Sequence, residues 1–174
     1  RVLFRFERWT LNSSGAFTSS VTLTSSEIVR DETQFNLDLN GDGYTSGAYT
    51  IAGVNLGSTS EGYALRIGDS EPLQVTWPEG QASATSPGQG WSAVAAKPQD
   101  DGYSLYWGNA ISGQVARWKL DSHGSYQSGS FLSSSQLINE ELDLNADLNG
   151  DCIIGHVASI IDNRGAASLS CSND

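Results

Sequence analysis

Short apolar stretches, broken by Gly, Pro and Asp, run through the middle of the chain with a period of two. In "GYALRIGD" (62–69), Tyr63, Leu65 and Ile67 alternate with small or polar neighbours, as a half-buried strand requires. "PLQVTW" (72–77), "WSAVAAK" (91–97) and "GYSLYWGN" (102–109) also read as strands. "QVARWKLDSHGSYQS" (114–128) predicts a hairpin with Asp121, Ser122, His123 and Gly124 in its turn, and "PEGQASATSPGQG" (78–90) a loop. The period then changes. "SSEIVRDETQF" (25–35) and "SSQLINEELDL" (134–144) open on a Ser cap and space Ile28 and Phe35, or Leu137, Ile138 and Leu144, near the helical repeat. The expected fold class is mainly β (α+β): a small antiparallel β-sheet module closed by a short helix and an acidic loop.

The pattern occurs twice. "RWTLNSSGAFTSS" (8–20) matches "RWKLDSHGSYQSG" (117–129), pairing Trp9 with Trp118 and Gly15 with Gly124. Leu23 pairs with Leu132, Glu32 with Glu141 and Asn36 with Asn145, all at an offset of 109 residues. Register held over some 40 residues without insertion identifies an internal repeat. The unit is too long for a solenoid of short repeats. Residues 1–47 are expected to be the end of one unit (hairpin, helix, loop), 48–155 a complete unit, and 156–174 the start of a further unit or a tail.

The loops after the helices carry the candidate chemistry. "LDLNGDGYTSG" (37–47) and "ADLNGDCIIGH" (146–156) place Asp38, Asn40 and Asp42, and Asp147, Asn149 and Asp151, at alternate positions. Alternate oxygens pointing inward are what a hard cation such as Ca²⁺ needs, since it takes six to eight oxygen ligands. The carbonyls of Tyr44 and Ile153 would add one ligand each, with both side chains anchoring the loop exit in the core. An EF-hand loop ends on a bidentate acid at its twelfth position; here Tyr49 and Ala158 stand there. Glu32 and Glu141, six residues before the first Asp, are the matched candidates to complete the shell, with Asp31 and Glu140 in reserve. Two Ca²⁺ sites are expected, of weak extracellular affinity, on the order of 10⁻⁴ M or poorer. The competing reading is a pair of Asx-rich turns that satisfy only their own backbone.

Composition narrows the classes. A net charge of -11 and a pI near 4.4 argue against nucleic acid and against an anionic membrane surface. No apolar run approaches a membrane span. The chain starts at Arg1 and contains no Met, so a processed, secreted product is expected. In an oxidising compartment Cys152 and Cys171 would pair, adding about 3 kcal/mol in the chain-entropy model; the alternative is two buried thiols. Cys152 stands where the loop would carry Gly, so a bridge would hold the bend there.

With these residues assembled, the chain resembles the tryptophan-rich C-terminal repeat domain of cyanobacterial and other bacterial secreted proteins. The resemblance rests on Gly102, Tyr103, Trp107, Trp118, Asp121, Gly124, Tyr126, Glu141, Asp147, Asn149 and Asp151, and covers about 48–155 with a partial copy at 1–47. It implies secreted or surface proteins, often multi-repeat, near calcium-dependent adhesins or hydrolases, and no known activity for the domain itself. Cys152 for Gly, Leu144 for Phe, and the missing Gly-Tyr-x-x-x-Trp strand before residue 8 depart from the pattern.

Several side chains remain to be weighed. Trp9, Trp107 and Trp118 are expected in the core, whereas Trp77 and Trp91 flank the polar 78–90 loop and are the candidates for stacking on sugars. His123 and His156 are expected to be solvated. No catalytic motif is found, so an enzyme is not expected. The leading expectation is a non-catalytic, calcium-binding extracellular module, structural or adhesive. It would associate with itself or with neighbouring units, and Arg1–Phe6 could complete a neighbour's sheet in a head-to-tail filament. The alternative is a carbohydrate-binding module attached to a secreted hydrolase.

Overall fold

A computed structural model of the chain describes residues 5–82 and 87–155. It is mostly β, with antiparallel sheets and two helices. The first hairpin pairs β1 (Glu7–Leu11) with β2 (Phe17–Thr22) and leads into α1 (Ser25–Phe35). A four-stranded sheet follows in the order β3-β4-β5-β6: Thr50–Ile51, Val54–Thr59, Gly62–Ile67 and Leu73–Gln74. A small ribbon, β7 (Thr76–Trp77) with β8 (Gly80–Gln81), links it to the second four-stranded sheet. That sheet has the order β12-β11-β10-β9. Its strands are β9 (Trp91–Gln99), β10 (Gly102–Asn109), β11 (Val115–Asp121) and β12 (Tyr126–Phe131), and α2 (Ser134–Leu144) follows.

Local chemistry explains the elements. The turns are Asx-built: Asn12 Oδ1 accepts from Ser14 N (3.0 Å) and Ala16 N (2.9 Å), and Asp121 Oδ1 accepts from His123 N and Ser125 N (2.9 Å each). Both helices span eleven residues, as expected, but their caps lie one position earlier. Thr24 with Glu27, and Ser133 with Gln136, form capping boxes. Both helices end on an Asn in the left-handed conformation, Asn36 and Asn145.

β10 is the central strand and is buried on both faces. Leu105 and Trp107 point into a core shared with Val54 and Leu56 of β4, Leu65 of β5, and Trp118 and Leu120 of β11. Tyr106 points the other way, into a second cluster with Ala95, Val115, Leu137, Leu144, Ala146 and Leu148. The layers are therefore β3–β6, then β9–β12, then α2. The first core is aromatic. Trp107 and Trp118 lie 4.8 Å apart, with Tyr63 edge-on to Trp107 and Tyr126 edge-on to Trp118.

Four expectations change. The single strand over 72–77 is broken at Val75, where the fully buried residue turns the chain from β6 into β7. The 78–90 loop contributes β8. β3 and β4 form where no strand was predicted, because Gly57 and Asn55 obscure the alternation of Val54 and Leu56. Trp9 is not core: it is 64% exposed, with the Phe17 ring edge-on to it at 5.4 Å, because no strand equivalent to β10 covers it among the described residues.

Candidate functional site

Each helix delivers its acidic loop in the same way. The left-handed Asn cap turns the chain back, its N–H bonding to Glu32 O after α1 and to Glu141 O after α2. In the first loop Asp38 is the hub: Oδ1 accepts from Gly41 N (2.7 Å) and Asp42 N (3.2 Å), and Oδ2 from Gly43 N (2.8 Å). Asn40 Oδ1 accepts from Asp42 N (2.8 Å), and Asp42 Oδ1 from Tyr44 N (3.0 Å). The second loop copies this. Asp147 accepts from Gly150 N and Cys152 N (2.7 Å each), Asn149 from Asp151 N (3.0 Å) and Asp151 from Ile153 N (2.9 Å). Cys152 takes the left-handed conformation (φ 67°) that Gly43 holds (φ 83°), a cost of about 1 kcal/mol for a residue with a Cβ.

The two glutamates lie beneath these loops and are completely buried. Glu32 Oε2 accepts from Ser46 Oγ (3.1 Å), while its Oε1 has no hydrogen-bond partner. Burial pushes its carboxyl above the usual Glu range; hydrogen bonding from Ser46 and from the Asn40 backbone opposes this, and the nearby Asp42 and Asp38 add to the rise. Glu141 is better served, with Oε1 accepting from Leu148 N (3.1 Å) and Oε2 from Gly155 N (3.0 Å). Burial raises its carboxyl too. The reserve pair acts structurally. Asp31 binds Arg8 and Arg30 at 3.2 Å, and Glu140 binds Arg117 (2.7 Å), Lys97 (2.8 Å) and Tyr106 (2.7 Å).

The loops differ at their exits. Tyr44 is fully buried, lying over Gly57 of β4, with its hydroxyl 2.7 Å from Asn55 Oδ1 and 2.8 Å from Asn55 O. Arg66 caps the ring, 4.0 Å from its centroid, and bonds Asp42 Oδ2 at 2.8 Å. Asn55 also bonds Gly47, Tyr49 and Thr50, so one amide side chain fastens the first loop to the sheet. The loop borders a groove of about 940 Å³ that Asn40, Asp42, Ser46, Asn55 and Arg66 help to line. Ile153, expected to anchor its loop, is instead 38% exposed, because no strand lies over it as β4 lies over Tyr44 among the described residues.

Sequence reasoning missed Arg66, Asn55 and Ser46, which lie on strands or connections without a motif. Among the described residues no three or more His, Cys, Asp or Glu side chains converge as a metal-binding group. The loop carboxylates are turned to their own amides. Each carboxylate oxygen carries two lone pairs; two amides occupy both on Asp38 Oδ1, whereas one amide occupies a single pair on Asp38 Oδ2 and on Asp42 Oδ1. Of the two loops, the first leaves more for a hard cation: Glu32 Oε1 is buried without a hydrogen-bond partner and feels the Asp38 and Asp42 carboxylates, although Arg66 already holds Asp42 Oδ2. The second loop fits less well, since both Glu141 oxygens are already paired.

The remaining candidates fall elsewhere. Trp77 is half-buried and stacks on Trp118 (5.6 Å, 21°), and Trp91 tilts against Phe131 at 5.9 Å. His123 is exposed in the β11–β12 turn. His156, Cys171 (hence the pairing of Cys152 with Cys171) and Arg1–Phe4 fall outside the described residues. No helix among the described residues is long and apolar enough to cross a membrane.

The sequence model of the tryptophan-rich Synechocystis species C-terminal domain matches residues 54–155, from β4 through the second loop. The chain belongs to this family. In structural terms the tryptophan-rich domain so matched is two stacked sheets around Trp107 and Trp118, one helix and one acidic loop. No curated protein and no solved structure matches the chain significantly.

Proposed function

We propose that this member of the tryptophan-rich family is a non-catalytic, calcium-binding extracellular module, structural or adhesive, assembled from units that repeat every 109 residues. The observation that carries the calcium reading is the buried, unpartnered Glu32 Oε1 beneath the Asp38–Asp42 loop. A buried carboxylate oxygen left without a partner costs about 1–3 kcal/mol, and more when the group is charged, unless something neutralises it. Asp38, Asn40, Asp42 and Glu32 would hold the ion in the first loop, and Asp147, Asn149, Asp151 and Glu141 in the second. When bound, Ca²⁺ would supply positive charge beside the Asp38, Asp42 and Glu32 carboxylates. The chain's own part is to pin the helix end, the loop and β4 together through Tyr44, Asn55 and Arg66. The acidic composition and a Cys152–Cys171 bridge would suit a secreted, surface-exposed protein. The matched element order β1-β2-α1 and β11-β12-α2 supports neighbouring units as partners.

The test is a thermal melt in about 10 mM CaCl₂ and in EGTA. With a Kd of about 0.1 mM the ion would add about 2.7 kcal/mol per site. Asp38→Ala and Glu32→Gln are expected to lose most of the first site's share of the shift, and Asp147→Ala that of the second. A wild-type melting curve identical in CaCl₂ and EGTA would overturn the proposal.

A further inference from the structure

The N-terminal hairpin and helix expose apolar side chains that the matched positions of the second half bury. Trp9, Leu11 and Phe17 are exposed, whereas Trp118 and Leu120 are buried and Tyr126 packs on the core. Beyond the helix, Phe35, Leu37 and Leu39 are exposed, whereas Leu144, Ala146 and Leu148 are buried. The difference is the β9–β10 hairpin. β10 is paired along β11 from Gly102↔Asp121 to Gly108↔Val115. Its Leu105 and Trp107 cover one face, and Tyr106 with Ala95 of β9 covers the helix face. Among the described residues β1 pairs with β2 alone, so the edge that β11 gives to β10 is open in β1.

The ion pairs agree. Arg117–Glu140 recurs as Arg8–Asp31. Lys97 of β9 and Tyr106 of β10 also hold Glu140; Asp31, whose side chain is more deeply buried than that of Glu140, has among the described residues Arg8 and the neighbouring Arg30 alone.

We infer that the β1 edge, with the apolar surface on its two sides, is an acceptor site for a β9–β10-type hairpin from another tryptophan-rich unit, added by strand augmentation. The two faces decide the occupant. β1 of a second copy would turn Arg8 and Thr10 toward Phe35 and Leu37, since Arg8 already faces α1 through Asp31. The outer edge of a second copy's β9 carries Lys97 and Pro98, which blunt it against pairing. A hairpin with the pattern of residues 91–109 has apolar side chains for both faces and brings a cation of the Lys97 kind toward Asp31. This rests on the repeat reading above and not on calcium.

The test uses the full-length chain and a labelled synthetic peptide of residues 91–109, followed by fluorescence anisotropy in EGTA. Saturable binding is expected. Leu11→Ser in the protein, or Lys97→Glu in the peptide, should weaken it at least about tenfold, and binding that survives EGTA separates this site from the calcium sites. Absence of saturable binding up to about 100 µM, or equal binding to Leu11→Ser, would overturn the proposal. Two further outcomes also would. A dimer in sedimentation velocity that Leu11→Ser abolishes would make a second copy the occupant. A Leu11→Ser melting temperature lowered as far as that of a core variant would mean that the chain's own residues cover the face.

Discussion

Trp9 and Trp118 occupy equivalent positions in the repeat, follow the same Arg and precede the same turn, yet truncating them should have very different consequences. Trp118 is 6% exposed and touches Trp77, Trp107 and Tyr126. A buried indole hides roughly 200 Å² or more, which at about 25 cal/mol/Å² corresponds to about 5 kcal/mol. Trp→Ala changes in cores cost about 3–5 kcal/mol, close to the whole stability of many domains. Trp9 is 64% exposed, so its loss removes about a third of that area and about 1–2 kcal/mol. Urea denaturation followed by far-UV circular dichroism, at low micromolar protein to keep the chain dilute, measures both. Trp118→Ala should shift the midpoint severely or leave the β9–β12 sheet unfolded, while Trp9→Ala should shift it slightly. Equal losses would refute the reasoning, since they would show Trp9 to be buried in solution as deeply as Trp118.

A Cβ at Gly57 would lie 2.3 Å from Thr45 O and 2.5 Å from Tyr44 Cζ, so Gly57→Ala should lift Tyr44 off β4 and cost about 2–3 kcal/mol in a thermal or urea melt. Glu140→Gln keeps the shape but loses the charge that Lys97 and Arg117 share, costing about 1.5–3 kcal/mol near pH 7 in the same melts. Burial alone would raise the Glu140 carboxyl, but the Lys97, Tyr106 and Arg117 bonds outweigh it and hold it below its ordinary value of 4.5. Its contribution is therefore full above that pH and is lost as pH falls below it, so the difference between wild type and Glu140→Gln should shrink in acid. Asn145 sits at φ 49°, so Asn145→Ala should cost about 1 kcal/mol in a melt, whereas Asn145→Gly should be neutral or slightly stabilising.

What the sequence determined by itself is local. The period-two stretches placed β5, β9, β10 and the β11–β12 hairpin, because alternation along a strand is written residue by residue. The two eleven-residue helices were legible from their spacing and from polar caps within one residue of the true ones. The acidic loops were legible because an Asx hub needs only its own next five residues, as Asp38 with Gly43 and Asp147 with Cys152 show. What only the tertiary structure decided is which surfaces meet. The same Arg-Trp motif is core at Trp118 and surface at Trp9, because burial depends on whether a β10 lies alongside. β4 escaped the pattern because its selection is by fit: Gly57 leaves room for the Tyr44 ring, and Asn55 ties the loop from a distance in sequence. The burial of Glu32 and Glu141, and the absence of a partner for Glu32 Oε1, likewise depend on packing around the helix end, which no local spacing encodes.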